Sequence, residues 1–452
     1  MRALSKKNDE RPELFRERLE NLLNRRHELF VMTSLIDWEF FEREFAQLYA
    51  ENSGRPGAPI RLMVGLSYLA HAYGLSDEAV VSGWLENPYW QYFCGETYFQ
   101  HQLPIDPSSM TRWRQRIGEA GCEQILAMTL KAGLASGTVK ESSLRRVNVD
   151  TTVQPKAVRH PTDSRSYNRC RERLVRLAEE HGLPLRQTYS RLGPRALRKA
   201  SSYAHARQFK RAKREVRRLK TYLGRVYRDI LRTILPDPDL HGEFHEEFVL
   251  AERMLDQRKQ DKNKLYSMHA PEVECIAKGK AHKKYEFGVK VSVATTSRDN
   301  FVVGMQALPG NPFDGHTLSE ALGQVCRVTG ILPERCYVDR GYRGHGVSKT
   351  EVFISGQRRG ITPTIRRELR RRSAIEPVIG HMKADGKLGR NWLKASLGDK
   401  INALLCGAGH NLRIILRKLR KLLHFFVIFL LFGSNETEIA GNWQPGNLAC
   451  HG

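Results

Sequence analysis

Three acidic residues far apart in the chain, Asp150, Asp339 and Glu376, are of the type and placement that could hold a metal ion. Asp150 lies inside the β-branched run Val147-Asn-Val-Asp-Thr-Thr-Val153, which reads as a strand. A carboxylate there faces a desolvation cost unless it is paired or metal-bound. Asp339 ends a second short apolar run, Cys336-Tyr-Val-Asp339, and is followed by Arg340-Gly-Tyr-Arg-Gly344, whose glycines let the backbone approach a ligand closely. Glu376 opens a basic helical segment. Carboxylates from separate elements are what a hard divalent cation such as Mg²⁺ takes as ligands. Two such ions about 4 Å apart serve both the attacking and the leaving oxygen of a phosphodiester. Each acid also has a structural reading. Asp150 could answer a basic side chain on an edge strand, and Asp339 could be a turn residue before Gly341. Glu376 could form a capping box with Ser373. Pro377 argues against that box, because proline disfavours a helical conformation in the residue before it. A helix starting at Pro377 leaves Glu376 near the positive end of the dipole.

The charge balance says what such a site would meet. The chain has 452 residues, with 74 Lys+Arg against 49 Asp+Glu and a formal charge of +25. A field of that size draws in polyanions. The charge is clustered: Arg165 to Arg232 holds 21 Lys+Arg against 5 Asp+Glu. Within it Val216, Leu219, Leu223, Val226, Ile230 and Ile234 recur at helical spacing, so the segment reads as an amphipathic helix with a basic face, stopped by Pro236. The eight cysteines include no CxxC pair, which leaves a zinc knuckle unsupported. Met1-Arg-Ala-Leu-Ser-Lys-Lys has no secretory pattern, and the apolar run Phe425 to Phe432 is shorter than the roughly 20 residues of a membrane span. A cytoplasmic protein with reduced thiols and without a membrane partner is expected.

The elements that must position the acids follow from periodicity. Residues 1–143 read as a helical N-terminal region: Glu13 to Phe30, Pro59 to Tyr73, a helix capped by Ser76 through Leu85, and one opening at Asp106-Pro107 that carries Arg112, Arg114 and Arg116. Helix, glycine turn, helix is compatible with a DNA-reading helix-turn-helix and equally with an ordinary hairpin. Strands are expected at Val147 to Val153, Phe287 to Ala294, Phe301 to Leu308, Cys336 to Asp339 and Thr350 to Ser355, with a helix over His316 to Val328. The order without the basic helices is that of a ribonuclease-H-like α/β fold. The chain therefore divides into residues 1–143, a catalytic domain in two parts (144–164 and 266–423), a basic helical insertion (165–265) and an irregular tail (424–452).

Four segments carry a family resemblance: Val149-Asp-Thr-Thr-Val153, Asn311-Pro-Phe-Asp-Gly-His-Thr-Leu318, Val338-Asp-Arg-Gly-Tyr-Arg-Gly344 and Arg372-Ser-Ala-Ile-Glu-Pro-Val-Ile-Gly-His-Met-Lys383. Together with Pro59-Ile-Arg-Leu-Met-Val-Gly-Leu they resemble the DDE transposases of bacterial insertion sequences, within the group of families four and five and most like family five. The resemblance covers most of Pro56 to Leu423. The group's signature around the third acid is Tyr, two residues, Arg, three residues, Glu, six residues, Lys. Arg372, Glu376 and Lys383 fit it, and Leu369 departs from it at the Tyr position. The resemblance implies that Asp150, Asp339 and Glu376 are catalytic ligands of two Mg²⁺ or Mn²⁺ ions. It also implies that Arg372 and Lys383, with Arg343, Lys387 and Arg390, contact DNA. Arg suits phosphate as a planar fork and Lys as a point charge.

Asp314 rivals Asp339 as the second acid, but capping of the following helix is the preferred reading for it. His316 belongs to the same block, and His282, Lys283 and Lys284 could touch DNA or simply be solvated. What the resemblance implies is binding to terminal inverted repeats, strand cleavage leaving a 3′-hydroxyl, and attack of that hydroxyl on target DNA. A homodimer or larger assembly on DNA is expected. The alternatives are a metal-dependent nuclease that does not join, and a non-catalytic DNA-binding protein.

Overall fold

A computed structural model describes residues 16–50, 56–258, 260–277 and 284–432, with side chains to residue 422. The chain is mixed α/β. Its first part is helical: α1 (Leu19–Leu22), α2 (Glu28–Leu35), α3 (Trp38–Ala46), α4 (Ile60–Ala72), α5 (Asp77–Glu86), α6 (Pro88–Phe93) and α7 (Ser108–Ala135). Strand β1 (Arg146–Pro155) is followed by α8 (Asp163–Glu180), α9 (Leu192–His205), α10 (Phe209–Ile234) and α11 (Pro238–Asp256). Then come β2 (Glu274–Ala277), β3 (Tyr285–Thr296), β4 (Val302–Leu308), α12 (Asp314–Thr329), β5 (Arg335–Val338) and β6 (Glu351–Ile354). The last helices are α13 (Pro363–Arg371), α14 (Ile375–Ala384) and α15 (Ala395–Phe432).

Local chemistry sets many of these boundaries. Ser76 caps α5 by accepting from the Ala79 amide at 3.1 Å. Asn87 and Asp237 cap α6 and α11, each with proline at the first helical position. Gly330, at φ 73°, ends α12 in the left-handed region. The helix expected over Glu13 to Phe30 is broken instead. Helix α1 ends at Leu22, and α2 starts after His27, whose ring nitrogen accepts from the Leu29 amide at 3.2 Å.

Strand β1 sits in the middle of the sheet, antiparallel to β3 on one side and parallel to β5 on the other. Strand β3 also pairs antiparallel with β2 and β4 along different stretches of its length, and β5 pairs in parallel with β6. Asn148 lies opposite Tyr337. Continuing that register by two residues puts Asp150 level with Asp339, on one face, because side chains alternate along a strand.

The N-terminal helices do not have a core of their own. Val64, Trp84 and Trp113 belong to the same buried cluster as Val149, Val293, Leu322 and Leu404, so these helices, the sheet, α12 and α15 fold around one interior. Helix α15 crosses α4 so closely that a Cβ on Gly409 would sit 2.4 Å from the His71 carbonyl. Asn411, fully buried on α15, exchanges two 2.8 Å hydrogen bonds with the backbone of Val302 and donates to Thr129 Oγ1 at 3.0 Å. One amide thus joins α15, β4 and α7. Helices α8 to α11 form a second core, with Leu219, Leu223, Val226, Ile230 and Ile234 of α10 packed on Phe244 and Phe248 of α11. Lys210, Arg211, Lys213, Arg214, Arg217 and Arg218 are exposed on α10.

Two features bear on the expected organisation. Helix α4 is buried on nearly every side, and the exposed residues of α5 are Glu78, Ala79, Ser82 and Glu86. That surface carries two carboxylates and no cation, the wrong sign for phosphate. Arg114 does not point outward either. It is buried on α7, with Nη1 donating to Asp77 Oδ1 at 3.0 Å. Helix α4 and Arg114 thus serve the core, while Arg112 and Arg116 of α7 are exposed. At the other end, α15 runs to Phe432, past the boundary at residue 424 expected for an irregular tail. Residues 433–452 lie outside the described residues.

Candidate active site

Asp150, Asp339 and Glu376 come together around one guanidinium. Arg372 Nη2 donates to Asp150 Oδ2 at 2.7 Å and lies 3.9 Å from Asp339 Oδ2, while Nη1 donates to Glu376 Oε1 at 3.2 Å. Four elements contribute: β1, the turn after β5, the 3-10 turn Arg372–Ala374 and the first turn of α14. Ser373 donates its hydroxyl to the Arg370 carbonyl and makes no capping box with Glu376. Pro377 is the third residue of α14 rather than its first, so Glu376 is already inside the helix, in the first turn where the dipole favours an anion.

The environments of the acids differ. Burial pushes the Asp150 carboxyl up from its ordinary 3.8 to about 6. Arg372 and the Thr151 amide, donating to Asp150 Oδ1 at 2.8 Å, hold it down, while Asp339 and Glu376 add to the rise. Asp339 is 40% exposed and accepts from the Gly341 amide at 2.9 Å, and Glu376 is 64% exposed. Tyr342 packs beside them with its hydroxyl buried and without a hydrogen-bond partner among the described residues. Its pKa is raised well above the ordinary tyrosine value by burial, then by Asp150 and Asp314.

Asp314 is neither the helix cap nor a partner of Arg372. Phe313 occupies the capping position of α12, with no side-chain bond, and Asp314 is the first helical residue. Its Oδ1 accepts from Thr151 Oγ1 at 3.0 Å and from Lys290 Nζ at 3.1 Å. Thr151 and Asp150 are consecutive in a strand, so they face opposite sides of the sheet. Asp314 therefore reaches the centre from behind, while Asp339 shares the face of Asp150. The two meet at Gly341, where a Cβ would lie 3.0 Å from Asp314 Oδ2 and 3.1 Å from Asp339 Oδ1. His316 is exposed on α12, edge-on to Phe313.

The residues expected to touch DNA fall into two places. Arg343 is exposed just past Asp339. Lys383, Lys387 and Arg390 line a cavity of about 780 Å³ shared with His71, Arg114 and Trp392. Burial lowers the Lys387 pKa, Arg114 adds to this, and Asp77 opposes it. Arg390 lies over the exposed Trp392 ring at 4.4 Å. Arg372 is not displayed for DNA in this arrangement, being 12% exposed and tied to the acids. Of the basic residues before β3, His282 and Lys283 lie outside the described residues, and Lys284 stacks over Tyr285 at 5.4 Å. Lys290 and Thr151 are site residues that sequence reading missed. The polar half of the alternation in Phe287-Gly-Val-Lys-Val was the available signal.

As the side chains stand, no group of three or more His, Cys, Asp or Glu among the described residues is set to hold a metal ion. The guanidinium occupies the middle of the acids. Their donor type still suits a hard divalent cation, with carboxylate oxygens from three elements converging on a single positive group.

Residues 17–116 match the family described as "Transposase domain (DUF772)". A Rhizobium meliloti protein described as "Uncharacterized protein ORF8 in nfe locus" is 53% identical over 208 residues, 46% of this chain and 98% of that protein. No solved structure matches. Among the described residues no helix is long and apolar enough to cross a membrane.

Proposed function

From a chain that belongs to the family of the Rhizobium meliloti ORF8 protein and carries a transposase domain, we propose a DDE-type DNA transposase of the family-five kind, with Asp150, Asp339 and Glu376 as its catalytic acids. The observation that carries this reading is the convergence of those three carboxylates, far apart in sequence, on Arg372. The sheet supports it. The antiparallel strands β4, β3 and β1, followed by the parallel strands β5 and β6 with the acids near the middle, are the arrangement that a ribonuclease-H-like sheet would require. Helices α8 to α11, with their separate core, are then an insertion after the first strand.

The same carboxylates would hold two Mg²⁺ or Mn²⁺ ions, which would supply an activated oxygen nucleophile and charge stabilisation at phosphorus. The chain's own residues do the rest. Asp150, buried and short of counter-charge once Arg372 leaves, is the fixed anchor. Asp339 and Glu376, more exposed, are free to adjust. Arg372 balances three carboxylates at rest and has the planar fork to take up a DNA phosphate instead. Tyr342, in the turn that carries Asp339, and the Lys290–Asp314 pair lie against the centre. DNA is the partner, drawn by the +25 charge and the basic face of α10. Holding two element ends at once calls for a dimer or larger assembly, in the cytoplasm and at the nucleoid.

Joining separates a transposase from a nuclease built on the same acids. Pre-cut DNA ends with a free 3′-hydroxyl, incubated with the protein, Mg²⁺ or Mn²⁺ and a circular target, should become covalently linked to the target. Hydrolysis without any linked product would reduce the reading to a nuclease.

A further inference from the structure

Beside the acids lies a second cationic site, and we propose that it binds phosphates of the DNA strand on which the acids act. The inference rests on the transposase reading and adds to it a place on the protein where that strand runs. The site is a cavity of about 660 Å³ lined by Arg146, Arg298, Arg367, Glu368, Arg370 and Arg371, with three serines. Three separate segments supply the arginines: the start of β1, the turn between β3 and β4, and the end of α13.

The site has far more positive charge than its fold requires. Glu368 is the one carboxylate among the lining residues, and it is already engaged. It pairs with Arg146 at 3.1 Å and with Arg335 at 3.3 Å, and it accepts from the Tyr337 hydroxyl. Arg371 is also used, donating to the carbonyls of Ser297 at 3.1 Å and Arg298 at 2.7 Å, which fixes the turn. The guanidinia of Arg298, Arg367 and Arg370 are exposed, and no described residue accepts a hydrogen bond from them or pairs with them. The dipole of α13 accounts for cations at its last turn. It does not account for Arg146 and Arg298, which reach the same cavity from other elements. Ser143 lines the cavity too, 5% exposed, with its hydroxyl unpartnered among the described residues. Guanidinium forks from three segments, with a buried hydroxyl donor among them, match phosphate oxygens.

The position ties this cavity to the acids. Arg146, Asn148 and Asp150 alternate onto one face of β1. Asn148 Nδ2 donates to the Arg371 carbonyl at 3.4 Å, holding the end of α13 over that face. Arg371 and Arg372 are consecutive, one turned to the cavity and the other to the acids. From Arg146 to Asp150 is about 13 Å along the strand. That corresponds to about four phosphate steps of one DNA strand, at ~3.4 Å each along the duplex axis. A strand engaged at the acids and continuing along β1 would bring its phosphates to the arginines.

The test uses the full chain with Arg298→Gln, Arg367→Gln and Arg370→Gln combined. None of these side chains is paired with a described residue, so circular dichroism and the melting temperature should match wild type. Binding of a fluorescent duplex is measured by anisotropy from 50 to 300 mM salt, with neutral methylphosphonate placed at single positions of the duplex. The slope of log affinity against log salt should become shallower by about 2.7, at roughly 0.9 for each of the three phosphates that the variant no longer neutralises. A methylphosphonate about four positions from the cleavage point should weaken wild type and leave the triple variant unaffected. Wild-type protein that binds and cuts DNA while the triple variant keeps its slope and its methylphosphonate pattern would overturn the second site alone. Wild-type protein that binds no DNA would overturn both this site and the transposase reading.

Discussion

Asp150→Asn should make the protein more stable, because the fold works against a charge at this position. Burial raises the carboxyl from 3.8 to about 6, a shift of about 2 pH units or roughly 3 kcal/mol at 1.36 kcal/mol each. The side chain is 14% exposed, so solvent screens little of this. The sign follows from proton binding. Between about pH 4 and 6 the folded protein binds more protons at Asp150 than the unfolded chain, so stability falls as pH rises through that window. The penalty is complete above about pH 6 and absent below about pH 4. Asparagine resembles the neutral acid, and Arg372 keeps Asp339 and Glu376 as partners. Urea unfolding in EDTA should therefore show the variant more stable by up to about 3 kcal/mol at pH 7.5 and equal to wild type near pH 4. A variant less stable at pH 7.5, or one with the same gain at both pH values, would refute the reasoning. Asp150 would then be an ordinary structural partner of Arg372.

Three further outcomes are expected. Arg372→Ala leaves a buried carboxylate unanswered and should cost roughly 3–5 kcal/mol at pH 7.5; urea unfolding should show less loss at pH 5 and most of it restored in the Asp150→Asn background. Gly341→Ala puts a methyl 3.0 Å from Asp314 Oδ2 and 3.1 Å from Asp339 Oδ1; DNA cleavage should drop at least tenfold with the melting temperature within 2–3 °C of wild type, by the sensitivity of catalysis to small misplacements. Tyr342→Phe deletes a buried hydroxyl without a partner among the described residues and should leave stability unchanged or raised by about 1 kcal/mol; a loss of 2 kcal/mol or more in urea would show that this hydroxyl has a partner.

Much of the site could be read from the sequence because each acid sits on a signal of its own. The β-branched run around Asp150 and the glycine turn after Asp339 each fix local backbone, and the family spacing links Arg372 to Glu376 and Lys383; Pro377 misplaced the start of α14 by two residues, since the helix opens at Ile375. The register of β1 with β5 then places Asp150 and Asp339 side by side. What could not be read depended on long-range packing. Periodicity gives α4 an apolar character but not the fact that α15 covers it. The arginines of α7 looked like a DNA face, yet Arg114 is held inside by Asp77, 37 residues away. Asp314 had the composition of a cap, and only the pairing of β1 with β3 shows Thr151 and Lys290 claiming its carboxylate. The break between α1 and α2 turns on a histidine cap, which sequence rules favouring Ser, Thr, Asp and Asn do not flag.

On the proposed function, Asp150, Asp339 and Glu376 act together on a DNA phosphodiester. The direct measurement is cleavage of a labelled duplex carrying the DNA that flanks this gene, in Mg²⁺ or Mn²⁺, by wild type and by Asp150→Asn, Asp339→Asn and Glu376→Gln. Wild type should cut near the end of the element and stop cutting in EDTA, while each variant binds the same duplex with near-normal affinity and leaves it whole. Cutting at the wild-type rate by any of the three variants would show that the altered acid is not catalytic.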